Sequence, residues 1–317
     1  MAAGSTPLGT PITRSVFGES LAQDAVLHLW AMEAYEKHKP IYPEMCNMRS
    51  FKGTGDRIIT MEATGLGPMP EKAEFEHMIT DGVVEGLKQT SVFTTRALAV
   101  HFSEETIEDS ARQKSVMVAN QLAQSARDAE EIDVADVVNS GTDATVFATS
   151  DGNAVFYATH SNLDGTTYSN LTAGYAAYTV LKSVLLAIRK RAGHRGAPIV
   201  LSVKNLWCPP DQEDKLDEVI MAHGLPNSTD NDAIAQSVAS LRGKVRSNPW
   251  FTGTNACFIR CIEHADNQGI SLWRKAEFRV SNEKDTTRGG RLWRARTRYA
   301  VTVGDPRTLQ GFGYSAS

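Results

Sequence analysis

One long, uninterrupted helical stretch limits what this chain can fold into. Residues Ser103 to Ser140 contain neither glycine nor proline, and small or apolar residues recur at steps of three and four, the spacing of one helix face. These residues are Ile107, Ala111, Ser115, Val118, Leu122, Ala126 and Ala129. Ser103 is a suitable N-cap, and the acidic residues after it suit the positive end of a helix dipole. The pattern predicts a helix over 103–131, which at about 28 residues would be roughly 42 Å long.

The segments before this helix predict a strand and an extended hairpin. Ser91–Phe102 is rich in β-branched and aromatic residues, which favours a largely buried strand that leads directly into the helix. Phe51–Asp81 combines a strand-like Gly55–Glu62, a tip with two glycines and two prolines, and a polar return over Glu71–Thr80. The hairpin carries few apolar side chains and is poorly stabilised by its own packing. A neighbouring molecule could cover it; a mobile surface loop is the alternative.

Further elements follow from turn and helix signals. Met1–Gly18 is rich in Gly, Ser, Thr and Pro, which is typical of an extended arm. Apolar periodicity and flanking breakers predict helices at Ser20–His38, Thr172–Arg191, Asp211–His223 and Ala233–Arg242. Alternating or β-branched runs predict strands at Ala144–Ser150, Ala154–Thr159, Ala256–Glu263, Leu272–Val280 and Leu292–Val303.

Charge and cysteine content exclude several protein classes. The chain of 317 residues has a net charge of −4, but from Arg242 onward 14 Lys and Arg face 6 Asp and Glu, so the earlier part is acidic. Such asymmetry is typical of an oligomer contact or a nucleic-acid face, or of an unevenly charged solvated surface. The four cysteines are too scattered for a disulfide scaffold. No apolar run is long enough for a membrane span, and no secretory signal is recognisable, so we expect a reduced cytoplasmic environment.

The strand predicted at Leu292–Val303 places three arginines on one face. Arg294, Arg296 and Arg298 alternate with Trp293, Ala295, Thr297 and Tyr299 on the opposite face. Like charges in a row repel unless something negative lies opposite them. We hypothesise that these arginines meet an acidic surface of another subunit or face DNA phosphates. Replacing all three by glutamate should then block assembly, and a triple mutant that assembles normally would rule the hypothesis out.

No residue set predicts an enzyme. Nucleophile and P-loop motifs are absent. Cys257, Cys261 and His264 invite a metal site, but strand residues four apart lie roughly 13 Å from each other, too far for thiolates on one zinc ion, so buried strand cysteines are favoured. His160 could be a catalytic base on a loop, although a histidine bonded to backbone is the more common arrangement. We therefore predict no catalytic, cofactor-binding or metal-binding residues.

Four segments, taken in order, carry a resemblance to a known family. They are HFSEETIEDSARQ (His101–Gln113), DGNAVFYATHSNLDGTTYSNL (Asp151–Leu171), GAPIVLSVKNLWCPPDQEDKLDEVI (Gly196–Ile220) and RLWRARTRYAVTVGDPRTLQGF (Arg291–Phe312). The sequence resembles the major capsid proteins of tailed bacteriophages, which have the Hong Kong 97-like fold. The resemblance implies an α+β fold with an N-terminal arm and helix over 1–50 and an extended E-loop hairpin over 51–81. It also implies a peripheral domain over 82–170 and 275–317, with a spine helix at 103–131, and an axial domain over 171–274.

The resemblance also implies a structural role. Subunits of this family form hexamers and pentamers in an icosahedral shell around double-stranded DNA, so we expect virion localisation after assembly in a host cytoplasm. The opening arm of about twenty residues is too short for a fused scaffolding domain, so a separate scaffolding protein is expected. A portal is a further expected partner, a decoration protein is an optional one, and no membrane is expected. Some relatives crosslink lysine to asparagine; Lys52, Lys72 and Lys88 lie in or near the hairpin, but no partner is identifiable.

Two alternatives stay open at this point. An encapsulin-like nanocompartment has the same fold but encloses cargo enzymes, and its genomic neighbours would lack a terminase and a portal. A soluble α+β enzyme that uses His160 and a nearby acid is the second alternative. A purified monomer that turns over a small molecule would favour the enzyme.

Overall fold

A computed structural model describes most of the chain. The described residues are 29–62, 64–66, 69–75, 77–78, 80–82, 84–221, 238–262, 269–284 and 290–314, without the side chains of 104–115. The predicted arm at Met1–Gly18, the first part of the helix at Ser20–His38 and most of the helix at Ala233–Arg242 lie outside these residues. Mixed helices and sheets make up the described chain, as predicted for the α+β class.

The longer helices form where the apolar periodicity predicts them. The helices are α1 (29–37), α2 (Tyr42–Met45), α3 (Glu104–Asn139), α4 (Tyr178–Arg189) and α5 (Pro210–Met221). Helix α4 begins six residues after the predicted Thr172, and the short α2 was not predicted. Helix α3 confirms the long helix and continues past the predicted end at residue 131. The reason is a further apolar stretch whose members Val134, Ala135, Val137 and Val138 are all buried. Among the described residues, no helix has the length and apolar character needed to cross a membrane.

The strands form sheets with mixed connections. They are β1 (Asn47–Ser50), β2 (Arg57–Met61), β3 (Lys88–Val92), β4 (Thr94–Phe102), β5 (His160–Ser161), β6 (Thr167–Tyr168), β7 (Leu171–Thr172), β8 (Ser202–Cys208), β9 (Val245–Ser247), β10 (Cys257–Ile262), β11 (Ile270–Lys284), β12 (Arg291–Val303) and β13 (Leu309–Phe312). One sheet has the order β1-β11-β12-β4 and another the order β7-β13-β10-β8-β9. Two-stranded pairs join β2 with β3 and β5 with β6. Strands β10, β11 and β12 confirm the three strands predicted for the last third of the chain.

The chain divides into two compact units, each with its own core. Of the described residues, the first unit takes 29–40, Phe93–Glu131 and Arg274–Tyr299, and the second takes the rest. The core of the first unit is formed by helices α1 and α3 and strands β11 and β12, with Tyr35, Leu122, Phe278 and Trp293 among its buried residues. The core of the second unit packs α4 and α5 against β8, β10 and β13. The predicted peripheral and axial domains stay a prediction.

Strand β4 differs from the prediction in its burial. Most of Thr94–Phe102 is exposed, and Leu98 has 49% of its surface exposed, so the predicted largely buried strand is wrong. The physical reason is position: β4 lies at the end of its sheet and pairs only with β12 among the described strands. An edge strand has neighbours on one side only and loses the burial that a central strand gains.

Three other strand predictions are wrong. Ala154–Thr159 contains no strand, only the isolated bridge at Ala154. Residues 144–150 form turns, with a single bridge between Ala148 and Ala154. The carboxylate of Asp143 accepts hydrogen bonds from the backbone and hydroxyl of Thr145 (2.8 and 2.7 Å), which favours a turn over a strand. The predicted return strand at Glu71–Thr80 contains no strand among its described residues; β2 pairs instead with β3, so the hairpin closes later.

Candidate functional site

Strand β12 presents an arginine face in the first unit. Trp293, Ala295, Thr297 and Tyr299 are buried, while Arg294 and Arg296 are exposed and Arg298 is half-buried. The predicted separation of the two faces is therefore confirmed. A strand alternates its side chains between faces, so one buried apolar row fixes the arginines on the other side.

The arginine face has little acidic compensation within its own unit. Across the pairing with β4, Arg294, Arg296 and Arg298 lie opposite Ala99, Ala97 and Thr95, none of which carries a charge. Arg294 forms an ion pair with Glu283 at 2.5 Å, and both side chains are about half exposed. Within the described part of the chain, Arg296 has no ion pair and the Nε of Arg298 has no hydrogen-bond partner. The structure thus leaves Arg296 and Arg298 without an ion pair among the described residues.

The β2–β3 hairpin (57–92) exposes large apolar side chains. Its strands pair from Arg57 opposite Val92 to Met61 opposite Lys88. The intervening segment leaves 64% of Leu66, 99% of Met69, 100% of Phe75 and 81% of Met78 exposed. Exposed apolar side chains grouped on one segment are typical of an interaction surface rather than of a free loop.

A buried ionic cluster in the second unit anchors the first strand of this hairpin. Directly after β2, Glu62 has its carboxylate within 3.0 Å of Arg307 Nη2 and 2.7 Å of His194 Nε2, and Ser150 donates to its other oxygen. Arg307 also donates to Asp305 from Nε (3.0 Å) and from Nη2 (2.9 Å). Glu62, His194, Asp305 and Arg307 are all more than 90% buried. Burial raises the pKa of Glu62, although the hydrogen bond from His194 opposes the change.

The second strand of the hairpin is also attached to the rest of the second unit. Gln89 donates to the carbonyl of Ala148 at 2.6 Å. Further out, Arg195 forms an ion pair with Asp81 and donates to the carbonyl of Gly82 at 2.7 Å. The base of the hairpin is therefore fixed on both sides while its apolar side chains stay exposed.

His160 lies inside the second unit and not on an open loop. Its Nδ1 is 2.9 Å from the carboxylate of Asp151, and its ring stacks on Tyr168 with centroids 5.2 Å apart. His160 is fully buried, and its Nε2 has no hydrogen-bond partner among the described residues. The expected backbone-bonded loop histidine is therefore wrong, because the acid nine residues earlier provides a stronger partner. A substrate in solvent has no exposed atom of this ring to meet.

The cysteines considered as metal ligands are buried on β10. Cys257 and Cys261 are at most 2% exposed, as expected for strand cysteines, and His264 lies outside the described residues. Burial raises the pKa of the Cys261 thiol to about 12, so both thiols behave as small apolar side chains. Within the described ranges, no group of three histidine, cysteine, aspartate or glutamate residues is arranged to hold a metal ion.

Sequence reasoning missed the ionic cluster at the hairpin base. Glu62 and Arg307 are 245 positions apart, and neither lies in a recognisable motif. The only available signal was Asp305-Pro306-Arg307, in which the aspartate caps a short helical turn through the backbone N–H of Arg307 (2.9 Å).

The lysines in or near the hairpin differ in their surroundings. Lys52 and Lys72 are exposed, whereas Lys88 forms an ion pair with Glu85.

Comparison with solved structures identifies the fold. Three similar chains form the capsid of the Cyanophage P-SCSP1u, the capsid of the native GTA particle, and the holo-SrpI encapsulin complex from Synechococcus elongatus. The cyanophage chain matches with a TM-score of 0.54 and 11% identity, covering 88% of this chain and 89% of that chain. The GTA chain matches with a TM-score of 0.54, 13% identity and coverages of 87% and 90%. The encapsulin matches with a TM-score of 0.51, 10% identity and coverages of 87% and 89%. At these identities the likeness shows the fold alone.

Sequence comparison supplies the family. Among curated protein sequences, none matches this chain. A family model described as phage capsid protein matches residues 88–310, more than half of the chain. That range holds helix α3, the arginine face, His194 and Arg307. The chain therefore belongs to the phage capsid protein family.

Proposed function

We propose that this chain is the major capsid protein of a tailed bacteriophage and forms hexamers and pentamers in an icosahedral shell around double-stranded DNA. The observation that carries the proposal is the β2–β3 hairpin. Its base is fixed by a buried ionic cluster, yet Met69 and Phe75 are essentially fully exposed. An anchored element with unburied apolar side chains is completed most simply by another subunit.

The elements take the roles expected of the Hong Kong 97-like fold. Helix α3 corresponds to the spine helix, and the hairpin to the E-loop that lies over a neighbouring subunit. The arginine face then meets either an acidic surface of a neighbour or the phosphates of packaged DNA. Both supply negative charge, and of the three arginines only Arg294 has an ion pair among the described residues.

The partners follow from the same role. A scaffolding protein would direct assembly in the host cytoplasm, a portal would occupy one vertex, and a decoration protein would be optional. The mature protein would reside in the virion. We propose no enzymatic activity, since His160, the best candidate base, is fully buried against Asp151.

An encapsulin-like shell is the second candidate, because encapsulin SrpI matches over 87% of this chain. The two candidates differ in contents. Particles from an infected or induced host should contain nuclease-protected DNA if this is a phage capsid. They should contain a specific protein cargo and no protected DNA if it is an encapsulin. The phage capsid family match favours the first outcome.

Serine substitutions in the hairpin test the proposal. The triple variant Met69→Ser, Phe75→Ser, Met78→Ser removes exposed apolar surface that contributes nothing to the fold of the isolated subunit. We expect subunits of normal thermal stability that no longer sediment as shells, because about 25 cal/mol per Å² of contact is lost at each interface. Sedimentation velocity and negative-stain microscopy, with scaffold co-expressed, measure the effect.

A matched control replaces exposed apolar residues of the second unit outside the hairpin. Leu186→Ser, Val200→Ser, Met221→Ser changes side chains that are at least 50% exposed. We expect this control to assemble normally. Shells formed by the hairpin variant with wild-type yield would refute the proposed role of the hairpin.

A further inference from the structure

The loop after helix α4 contacts both sides of the β2–β3 hairpin through two adjacent residues. His194 contacts Glu62 on the outgoing side at 2.7 Å. Arg195 contacts the returning side through the carboxylate of Asp81 and the carbonyl of Gly82. The backbone of the hairpin closes at the same level, where the N–H of Glu62 donates to the carbonyl of Leu87 at 3.0 Å. The direction in which the hairpin leaves the second unit therefore depends on this loop.

The buried half of this contact does not balance in charge when all carboxyls are ionised. Glu62 and Asp305 carry two negative charges, and Arg307 carries one positive charge. Nη2 of Arg307 lies within hydrogen-bond distance of three groups: Glu62, Asp305 and, at 2.8 Å, Nε2 of His194. Because its two hydrogens serve the two carboxylates, Nε2–H of His194 is left to donate to Glu62. One proton would neutralise the cluster.

The hydrogen bonds indicate where that proton resides. Nδ1 of His194 has no partner in the described part of the chain, so a proton there would become a buried donor without an acceptor. Oε1 of Glu62, by contrast, contacts the Ser150 hydroxyl. A protonated Glu62 can donate to Ser150, whose hydroxyl reverses from donor to acceptor, while Oε2 still accepts from Arg307 and His194.

We propose that Glu62, His194, Asp305 and Arg307 form a proton-operated clasp, which holds the hairpin base firmly when Glu62 is protonated and loosens it when Glu62 is ionised. The ionised state leaves an uncompensated carboxylate charge in a site that is 95% or more shielded at Glu62 and Arg307. Separation of the hairpin base from the loop relieves that charge by admitting water.

Other charged and titratable groups lie around the clasp, but among the described residues none of those named next contacts Glu62. Asp164 is exposed and acts on His194 only through its charge. Burial raises the pKa of Tyr168 far beyond its ordinary value, so its phenol stays neutral. Arg191 lies over the ring of Tyr168, 5.1 Å from its centroid, and donates to Gln310. Its charge acts on Asp305 at a distance, and among the described residues the only guanidinium that contacts Glu62 is that of Arg307.

The sign of the pH dependence follows from burial. Burial raises the pKa of Glu62 in the folded protein above that of an unfolded glutamate. The stability that this group contributes is fully present below the ordinary glutamate pKa of about 4.3 and is lost as the pH rises through the folded value. The clasp is therefore tightest in acid and loosens toward alkaline pH. If the chain forms a shell, as the proposed function states, a change in pH would then change the direction in which the hairpin projects.

Amide hydrogen exchange of the full-length protein tests the clasp. Protection factors of peptides covering 57–62 and 86–92 are measured from about pH 5 to about pH 9, a range that starts near the ordinary glutamate pKa and passes that of histidine. We expect protection of the wild type to fall as pH rises, about tenfold for each unit by which the Glu62 pKa differs between the closed and open clasp. Glu62→Gln should keep the acid level of protection throughout.

A control and a second variant keep the test decisive. Glu85→Gln removes an exposed charge from the same hairpin and should retain the wild-type slope. If Glu62→Gln does not fold, Asp305→Asn removes the other negative charge and should flatten the slope instead. A wild-type profile without slope, or an unchanged slope in the folded cluster variant, overturns the clasp. Neither result depends on shell assembly, so failure of the clasp and failure of the proposed function are distinguishable.

Discussion

Glu130 shows how single residues decide what the long helix does. This side chain is fully buried in the first unit, where the hydroxyl of Tyr35 (2.9 Å) and Nη2 of Arg274 (2.8 Å) donate to it, and Arg127 lies 3.4 Å away. Burial and the charge of Glu130 raise the pKa of Tyr35, so the phenol stays a donor. Glu131, the next residue of the helix, is likewise buried, with 4% of its surface exposed.

Replacing Glu130 should destabilise the fold strongly. Glu130→Gln leaves two guanidinium groups without their carboxylate, and breaking a buried pair from one side costs about 3 kcal/mol. Urea denaturation measures the change in the free energy of unfolding. Glu33→Gln is the matched control, because Glu33 forms an exposed pair with Lys37 and should change stability by less than about 0.5 kcal/mol. Equal effects of the two substitutions would contradict this account.

The Asp151–His160 pair predicts a loss of stability in acid. Burial opposes ionisation of Asp151, but hydrogen bonds from His160, Thr149 and Asn153 outweigh it and hold the pKa of Asp151 well below its usual range. Stability from such a group is present above about pH 4 and is lost as the pH falls through the folded pKa. Asp151→Asn should cost about 2 kcal/mol at neutral pH, and the difference from wild type should shrink below about pH 4. A difference that does not change with pH would contradict the assignment.

At the residue scale, the sequence predicted which face of a strand a side chain lies on better than it predicted which residues that side chain contacts. The alternation around Arg294, Arg296 and Arg298 is a local property and was confirmed. The partners of Glu62, and Tyr35 and Arg274 beside Glu130, come from segments far along the chain, and no local pattern encodes them. Only Arg127, three residues before Glu130, is a local partner. A carboxylate on a helix looks the same in sequence whether solvent or two arginines surround it.

At the element scale, the same contrast separates strands β12 and β4. Strand β12 alternates because one of its faces is buried within its own unit, so a single sequence suffices to predict it. Strand β4 is equally rich in β-branched residues, but its exposure depends on its place at the edge of the sheet. The return strand of the hairpin was misplaced because β3, with the sequence KQTSV, is nearly polar and gives almost no hydrophobic signal.

Charge reversal on the arginine face should block assembly and leave the fold intact. Arg294→Glu with Arg296→Glu changes two exposed side chains, and Arg298 is kept because its Nε is buried. Against an acidic neighbour or DNA, two reversed charges turn attraction into repulsion. Sedimentation should show dispersed subunits or small oligomers, with unchanged circular dichroism.

The matched control reverses two exposed basic residues on helix α4. Lys182→Glu with Arg189→Glu makes the same change in net charge in the second unit, and we expect it to assemble. Normal shells from the arginine-face variant would show that this face meets no anionic partner. Failure of both variants would show an effect of net charge alone.

At the scale of the whole molecule, the order of elements was more informative than any motif. Hairpin, strand, long helix and late strands recur in that order in the structure, and the family model covers 88–310. Composition could not supply this, since the net charge of −4 and the four cysteines fit most proteins. A single chain does not show how subunits are arranged around one another. The side chains that would form the contacts between subunits are the ones that the isolated chain leaves exposed.

Electron cryomicroscopy of assembled particles tests the central claim most directly. A reconstruction that resolves side chains shows what covers Met69, Phe75 and Met78. We predict a closed shell in which the hairpin of each subunit lies against a neighbouring subunit and these side chains are buried there. A compact monomer with the hairpin folded onto its own subunit, or a shell in which these side chains face solvent, would contradict the account.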